Sequence, residues 1–311
     1  MHSPARSPIL RQRSRTQGIN TMNYPSLEAF LDQRVLRRAK GPVALILVED
    51  RVEVESTIRH HLDAGFRTVL LLAPADLGLP GDLADAVHHI HHTMRAPDAL
   101  TATVNPLIAA APQGTWMYYG YNAEYLFYPF CETRTVREML AFHTEERRPA
   151  MLTYVIDLYA PDLALDPNGV NLRAAMLDRA GYYALARPDP ANHGHPKERQ
   201  LDFFGGLRWR FEEHVAPRQR RIDRISLFRA APGLELRSDH TFNIEEYNTY
   251  ACPWHHNLTA AVASFRAAKG LKYNPASSFA VTDFRWYNSV RFEWCGQQLM
   301  DLGLMEPGQW F

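Results

Sequence analysis

The first residues in this sequence that could do chemistry are acids placed where strands should end. Glu49-Asp50 follows the apolar run 43–48, and Glu124 follows the short run 116–119. Carboxylates at strand ends can accept hydrogen bonds from a base or ribose, or hold a divalent ion beside a diphosphate. They can equally cap the helix that comes next, where negative charge is favoured. A second pair, Glu245-Glu246, offers either a general base or a solvated turn.

Histidines form the next group. In His88-His-Ile-His-His92, a helix would bring His88, His91 and His92 to one face, and a strand would align His88 with His92. Zinc would need a third ligand, so a solvated polar segment competes with a metal site. His255-His256 follows Pro253 and suits either a ligand or helix packing, and His240 is a lesser candidate. Asn192-His-Gly-His195 suits a lid or a plainly exposed loop. Trp254, Trp286, Trp294 and Trp310 crowd the C-terminal end. Their faces could stack on sugars or bases, or simply fill a core.

The elements that must position these groups read as alternating strands and helices. Ser26 can cap a helix over 26–40. Run 43–48 reads as a strand covered on both faces. A helix over 52–64, closed by Gly65, leads to a second apolar strand at 68–72, which completes a βαβ unit. A helical or mixed piece follows through Met94, then strand and turn at 101–111, a strand at 116–119, a helix at 135–146 and a strand at 151–158. Residues 160–200 read as a long loop with a short helix. Short strands at 222–229 and 234–237 follow, then a helix at 258–270. The pattern predicts an α/β fold whose open, mainly parallel sheet is flanked by helices, with an irregular C-terminal third. Ligands in such sheets sit beyond the carboxyl ends of the strands.

Composition narrows the function classes. The chain is 46% hydrophobic and 11% aromatic, enough to bury a core and to exclude wholesale disorder. Its 34 basic and 34 acidic residues cancel, which argues against a surface built for nucleic acid. The longest apolar runs are strand-sized, so no membrane span is expected. The three cysteines, Cys131, Cys252 and Cys295, lie far apart, which fits a reducing cytoplasm and no disulfide scaffold. Residues 1–22 carry Arg6, Arg11, Arg13 and Arg15 and no acid. They read as a disordered basic leader, with Met22 as a candidate working start, ahead of one domain over 23–311. No GxGxxG, GxxxxGK[ST] or GxSxG motif occurs, which removes the commonest α/β enzymes.

Several segments, taken in order, resemble family 2-type glycosyltransferases with the GT-A fold. Ala44-Leu-Ile-Leu-Val-Glu-Asp50 is similar to the first strand, which in one branch ends in Lys-Asn-Glu. His61 and Gly65 match the branch's Tyr-His-x-x-x-Gly. Trp116-Met-Tyr-Tyr-Gly-Tyr-Asn-Ala-Glu-Tyr-Leu126 resembles its Trp…Asp-x-Asp-Glu-Phe-Leu strand, and Phe204-Gly-Gly-Leu-Arg208 its Gly-Gly-x-Arg stretch. Trp254-His-His256 with Phe265 and Lys269 resembles its late segment. The departures are equally specific. Tyr121 and Ala123 stand where the two metal-binding Asp belong, and Ala73-Pro-Ala75 stands where an Asp follows the second strand, with Asp76 beside it.

The resemblance implies transfer of a sugar from a nucleotide-sugar donor to a carbohydrate acceptor, such as a polysaccharide precursor. The expected place is the cytoplasm, either free or peripheral to the inner face of the membrane. Glu49, Asp50, Asp76, Tyr121, Asn122, Arg208, His255, His256 and Lys269 would hold the donor, and Glu124, Glu245 and Glu246 would supply the catalytic carboxylates. The family's Mn²⁺ or Mg²⁺ lacks its Asp-x-Asp ligands here. Arg208, Lys269 and Lys272 could instead neutralise the leaving diphosphate. Alternatively the fold is catalytically inactive and serves as a binding protein or scaffold.

Overall fold

Apolar runs too short for helices form the centre of the molecule. A computed structural model describes residues 22–250 and 257–310 of the 311-residue chain. The strands in chain order are β1 (Asn23–Tyr24), β2 (Val43–Leu47), β3 (Thr68–Ala73), β4 (His88–His91), β5 (Trp116–Tyr121), β6 (Glu124–Phe127), β7 (Ala150–Tyr159), β8 (Met176–Asp178), β9 (Tyr183–Pro188), β10 (Pro196–Phe204), β11 (Asp223–Arg229), β12 (Ala260–Ser264) and β13 (Ser289–Arg291). The helices are α1 (Leu27–Asp32), α2 (Val54–Asp63), α3 (Gly81–Ala84), α4 (Ala99–Ala110), α5 (Val136–Glu145), α6 (Gly206–Arg210), α7 (Arg266–Tyr273), α8 (Pro275–Ser278) and α9 (Gly296–Asp301).

The main sheet runs β1-β4-β3-β2-β5-β11-β7-β12-β6. Its first five strands are mutually parallel, β7 and β12 share their direction, and β11 and β6 run against it. Successive side chains alternate faces, so β2 feeds two cores. Val43, Leu45 and Leu47 pack with Phe30 of α1 and Leu107 of α4. Ala44 and Ile46 pack with Ile58 of α2 and Met139 of α5. The result is an α/β architecture with a mixed, mostly parallel sheet between helices, compatible with a Rossmann-like fold. Among the described residues no helix is long and apolar enough to cross a membrane.

Local signals in the first half work as read. Ser26 accepts from Ala29 N at 3.1 Å. Thr135 and Glu138 form a reciprocal capping box at the start of α5. Gly65, at φ 101°, ends the α2 segment in a conformation that favours glycine.

Tertiary context overrides several other expectations. The helix expected over 26–40 breaks at Arg34, whose φ is 53°, and resumes as a 3₁₀ turn. Residues 101–110, expected as strand and turn, lie in helix α4, and Ala111 follows it in extended conformation. Pro106 and the β-branched residues weigh against a helix in isolation, but burying Val104, Leu107 and Ile108 on the sheet outweighs them. The stretch 258–270 is not one helix. Ala260–Ser264 inserts between β7 and β6, buried at every position, and only the residues from Arg266 onward are helical. Alanine favours helix, yet it also fits a strand sealed on both faces. Residues 160–200 hold strands, including the β9–β10 hairpin, rather than a long loop. Residues 234–237 make only an isolated bridge, Leu236 to Phe242. At the C-terminal end, Trp310 is 6% exposed and docks on Phe130 and Phe142. The basic leader up to residue 21, Cys252, Trp254, His255 and His256 lie outside the described residues.

Candidate functional site

Chain order sets the location of the site. From β2 the chain builds β3 and β4 on one side, then returns to add β5 on the other. The gap between β2 and β5 is therefore a topological switch point, where the connections diverge and leave a crevice at the carboxyl ends of the strands. A cavity of about 530 Å³ opens there, within the range of small-molecule sites. Glu49, Asp50, Tyr121, Arg208 and Lys269 line it, with Arg218, Arg221, Arg224, Asp239, His240 and Arg266.

Asn122 joins the two strand ends. Its Oδ1 accepts from Glu49 N at 2.9 Å, and its Nδ2 donates to Asp50 Oδ1 at 2.7 Å and Val52 O at 2.9 Å. The chain then reverses at Ala123, whose φ is 61°. Ala123 N donates to Thr57 Oγ1 at 2.8 Å, which fixes this uncommon backbone state. The reversal turns Glu124 inward, under the crevice.

Glu124 is fully buried and binds Arg224 through both oxygens, at 2.6 and 2.9 Å. Tyr121 N and Ser264 Oγ also donate to it, at 2.9 and 3.0 Å. Burial alone would raise its pKa. The charge and hydrogen bonds of Arg224 overcome that and hold the carboxyl at about 2. Glu124 thus supports Arg224 and does not itself line the cavity.

The rim pairs sit above this floor. Arg266 donates to both oxygens of Glu49, at 2.6 and 2.7 Å, and its guanidinium lies 3.8 Å from the Tyr121 ring centroid. Lys269, one helical turn on, donates to Asp50 Oδ2 at 2.8 Å. Asp50 also accepts from Val52 N at 2.8 Å, a turn ahead of the helix; α2 starts at Val54 after Glu53, so neither Glu49 nor Asp50 caps it and the capping expectation fails.

Arg208 enters from α6. Gly206 precedes it with φ 64°, and a Cβ there would stand 2.9 Å from Asp157 Oδ2. The glycine therefore lets α6 close on β7, where Arg208 N donates to the same oxygen at 3.2 Å. Arg208 Nε lies 3.3 Å from Asp157 Oδ1, an ion-pair distance without hydrogen-bond geometry. Burial raises the Asp157 pKa and lowers that of Arg208.

The divalent cation implied by the resemblance finds no fitting donor set. Among the described residues no three His, Cys, Asp or Glu converge. Tyr121 and Ala123 carry no carboxylate, Glu124 is taken by Arg224, and Glu49 and Asp50 are taken by Arg266 and Lys269. His88–His91 is strand β4, so the histidine run does not form a helical face.

Three expected site residues stand apart from the cavity. Asp76 is exposed and pairs with Arg51. Glu245 is exposed, pairs with Lys197 at 3.1 Å and accepts from Gln200 at 2.8 Å, while Glu246 is exposed beside it. Neither lines the cavity, so neither is placed to act as its base. Conversely, Arg224 and Arg266 carry the site and were not among the expected residues. Both left a signal. A charged residue inside the apolar strand at 222–229 needs a buried partner. Arg266 precedes Lys269 by three residues, the spacing of one helix face.

No protein-family model matches the chain, and no curated protein is significantly similar to it.

Proposed function

We propose that the cavity binds the diphosphate of a nucleotide-sugar and that the protein transfers the sugar to a carbohydrate acceptor, in the manner of a GT-A glycosyltransferase that uses side-chain cations in place of a metal. The observation that carries this reading is the charge at the switch point. Six cations line the cavity (Arg208, Arg218, Arg221, Arg224, Arg266 and Lys269) against four acids (Glu49, Asp50, Asp223 and Asp239). Five of the six have acidic partners, some of them behind the cavity wall, so what favours an anion is the concentration of guanidinium groups, which suit the oxygens of a diphosphate. When the glycosidic bond breaks, negative charge grows on the leaving diphosphate, and fixed cations stabilise it there. Glu49 and Asp50, at the end of β2, offer acceptors to a base or ribose. Tyr121, 4% exposed, backs the Arg266 guanidinium from beneath.

Titration calorimetry with UDP, GDP and their sugars, in EDTA, tests the reading. The expected result is micromolar binding that survives EDTA and weakens at least tenfold in Arg266→Ala. No heat from any nucleotide would overturn it. A second reading, a binding protein without transfer, is favoured by the non-carboxylate residues Tyr121 and Ala123. It is supported if donors bind but neither transfer nor donor hydrolysis occurs.

A further inference from the structure

The proposed transfer needs a group to take the acceptor's proton, and the carboxylates expected for that work lie elsewhere. The four acids lining the cavity are already engaged. Glu49 and Asp50 are held by Arg266 and Lys269, Asp223 binds Arg187 at 2.6 Å, and Asp239 accepts from Thr241 Oγ1 at 2.7 Å. His214, at the outer rim, stands 3.7 Å from Glu213.

His240 is different. It lines the cavity and is half-buried. Its Nδ1 lies 2.9 Å from the Tyr119 hydroxyl, with the two ring planes only 9° from parallel. In the tautomer where Nδ1–H donates to the Tyr119 oxygen, Nε2 carries the free lone pair. Nε2 has no hydrogen-bond partner among the described residues and is not sealed from solvent. The backbone is also committed. His240 has φ 66°, held by the Asp239 turn and by the Leu236–Phe242 bridge beside it. A non-glycine residue kept in that state by its surroundings is a recurrent feature of functional sites.

Resting on the transfer reading above, we infer that His240 is the proton acceptor of this cavity and that an anionic diphosphate switches it on. The groups around it explain the switch. Arg224 from β11, Arg266 from α7 and Arg208 from α6 oppose a positive imidazole, and burial opposes it more strongly still. Glu124 beneath favours the charged form, as a carboxylate on the adjacent Asp239 does by its charge, and Tyr119 and Tyr121 remain neutral phenols, their pKa values raised by burial. The sum keeps His240 neutral and a poor base in the free protein. A diphosphate bound among the three arginines adds negative charge and offsets their opposition. The imidazole then gains basicity only when a donor is in place, which guards the donor against premature hydrolysis. In the step itself, the acceptor hydroxyl gives its proton to Nε2 while its oxygen bonds to the anomeric carbon. The bond from that carbon to the phosphate oxygen breaks, and its electron pair leaves with the diphosphate.

The test follows the His240 ring by NMR on ¹³C-histidine-labelled full-length protein, assigned by its absence in His240→Gln, with inorganic pyrophosphate as the probe. The expected result is a resonance that does not titrate down to pH 5.5 in the free protein and whose midpoint rises by at least one pH unit with pyrophosphate. A midpoint that pyrophosphate leaves unmoved would overturn the inference. A kinetic arm separates it from the broader reading. In His240→Gln, kcat for turnover of the nucleotide-sugar should fall about 100-fold while nucleoside diphosphate affinity stays within threefold. Turnover that persists in His240→Gln would reject His240 and keep the transfer reading. A pyrophosphate-driven midpoint shift in a protein that binds no nucleotide-sugar would keep the switch and reject the transfer reading.

Discussion

The floor of the cavity and its rim use the same chemistry, carboxylate against guanidinium, at different depths. Below, the Glu124 and Arg224 side chains are 0% and 2% exposed. Above, Glu49 and Arg266 are 29% and 31% exposed. Water competes for both members of the rim pair, so its net worth is small and a ligand can take its place. The floor pair is nearly closed to water, and besides Arg224 the Glu124 carboxylate has Tyr121 N and Ser264 Oγ as donors among the described residues. Removing one member strands a buried charge, whereas the intact pair roughly offsets its own desolvation. Depth therefore separates a scaffold from a binding surface made of the same groups.

Substitutions can break this comparison. Glu124→Ala should destabilise the fold by about 3–5 kcal/mol, because Arg224 is left unpaired in the interior. Arg266→Ala should cost about 1 kcal/mol or less and show itself in nucleotide affinity instead. Denaturant unfolding of both variants decides, and equal losses would erase the distinction between floor and rim. Gly206→Ala should follow at about 1–3 kcal/mol, since it combines a left-handed backbone with a Cβ pressed on Asp157.

Acid sharpens the contrast. The Glu124 carboxyl is lowered in the fold to about 2 from an ordinary 4.5. Its contribution is complete above pH 4.5 and is lost as pH falls from there toward 2. His143 and His61 are buried neutral, desolvation lowering them from 6.5 to about 4 and about 3. Their contribution is present above pH 6.5 and declines as pH falls below it. Stability measured against pH should thus decline in two stages, and His143→Gln should flatten the first without touching the second. The smallest effects belong to exposed residues away from the cavity. Asp76→Asn and Glu246→Gln should each change stability by about 0.5 kcal/mol or less and nucleotide affinity by less than twofold, as thermal melts and calorimetry would show.

Strands β2 and β3 were legible because they are unbroken apolar runs, whereas β4, with its His-His-Ile-His sequence, and α4, which has no side-chain cap, were not. Ser26, Thr135 and Gly65 mark boundaries through hydrogen bonds and backbone states that a few residues fix locally. Ala260–Ser264 becomes a strand because β7 and β6 close over both its faces, which no window of sequence reveals. The site divides the same way. Glu49, Asp50, Tyr121, Asn122, Arg208 and Lys269 could be found from strand ends and motif order. His240 and Arg224 depend on β11 inserting beside β5, a long-range pairing. Glu245 was expected as a base from its late position in the family pattern, which says nothing of distance, and the fold gives it to Lys197.

The central claim is that an anionic ligand lies across the switch point, held by the rim and by Arg208. The most direct test is a crystal structure with a nucleoside diphosphate grown without divalent metal. The account expects the diphosphate oxygens on Arg208, Arg266 and Lys269, between the ends of β2 and β5, with Glu124–Arg224 intact beneath. A nucleotide bound elsewhere, or Glu124 drawn up into the ligand, would contradict it.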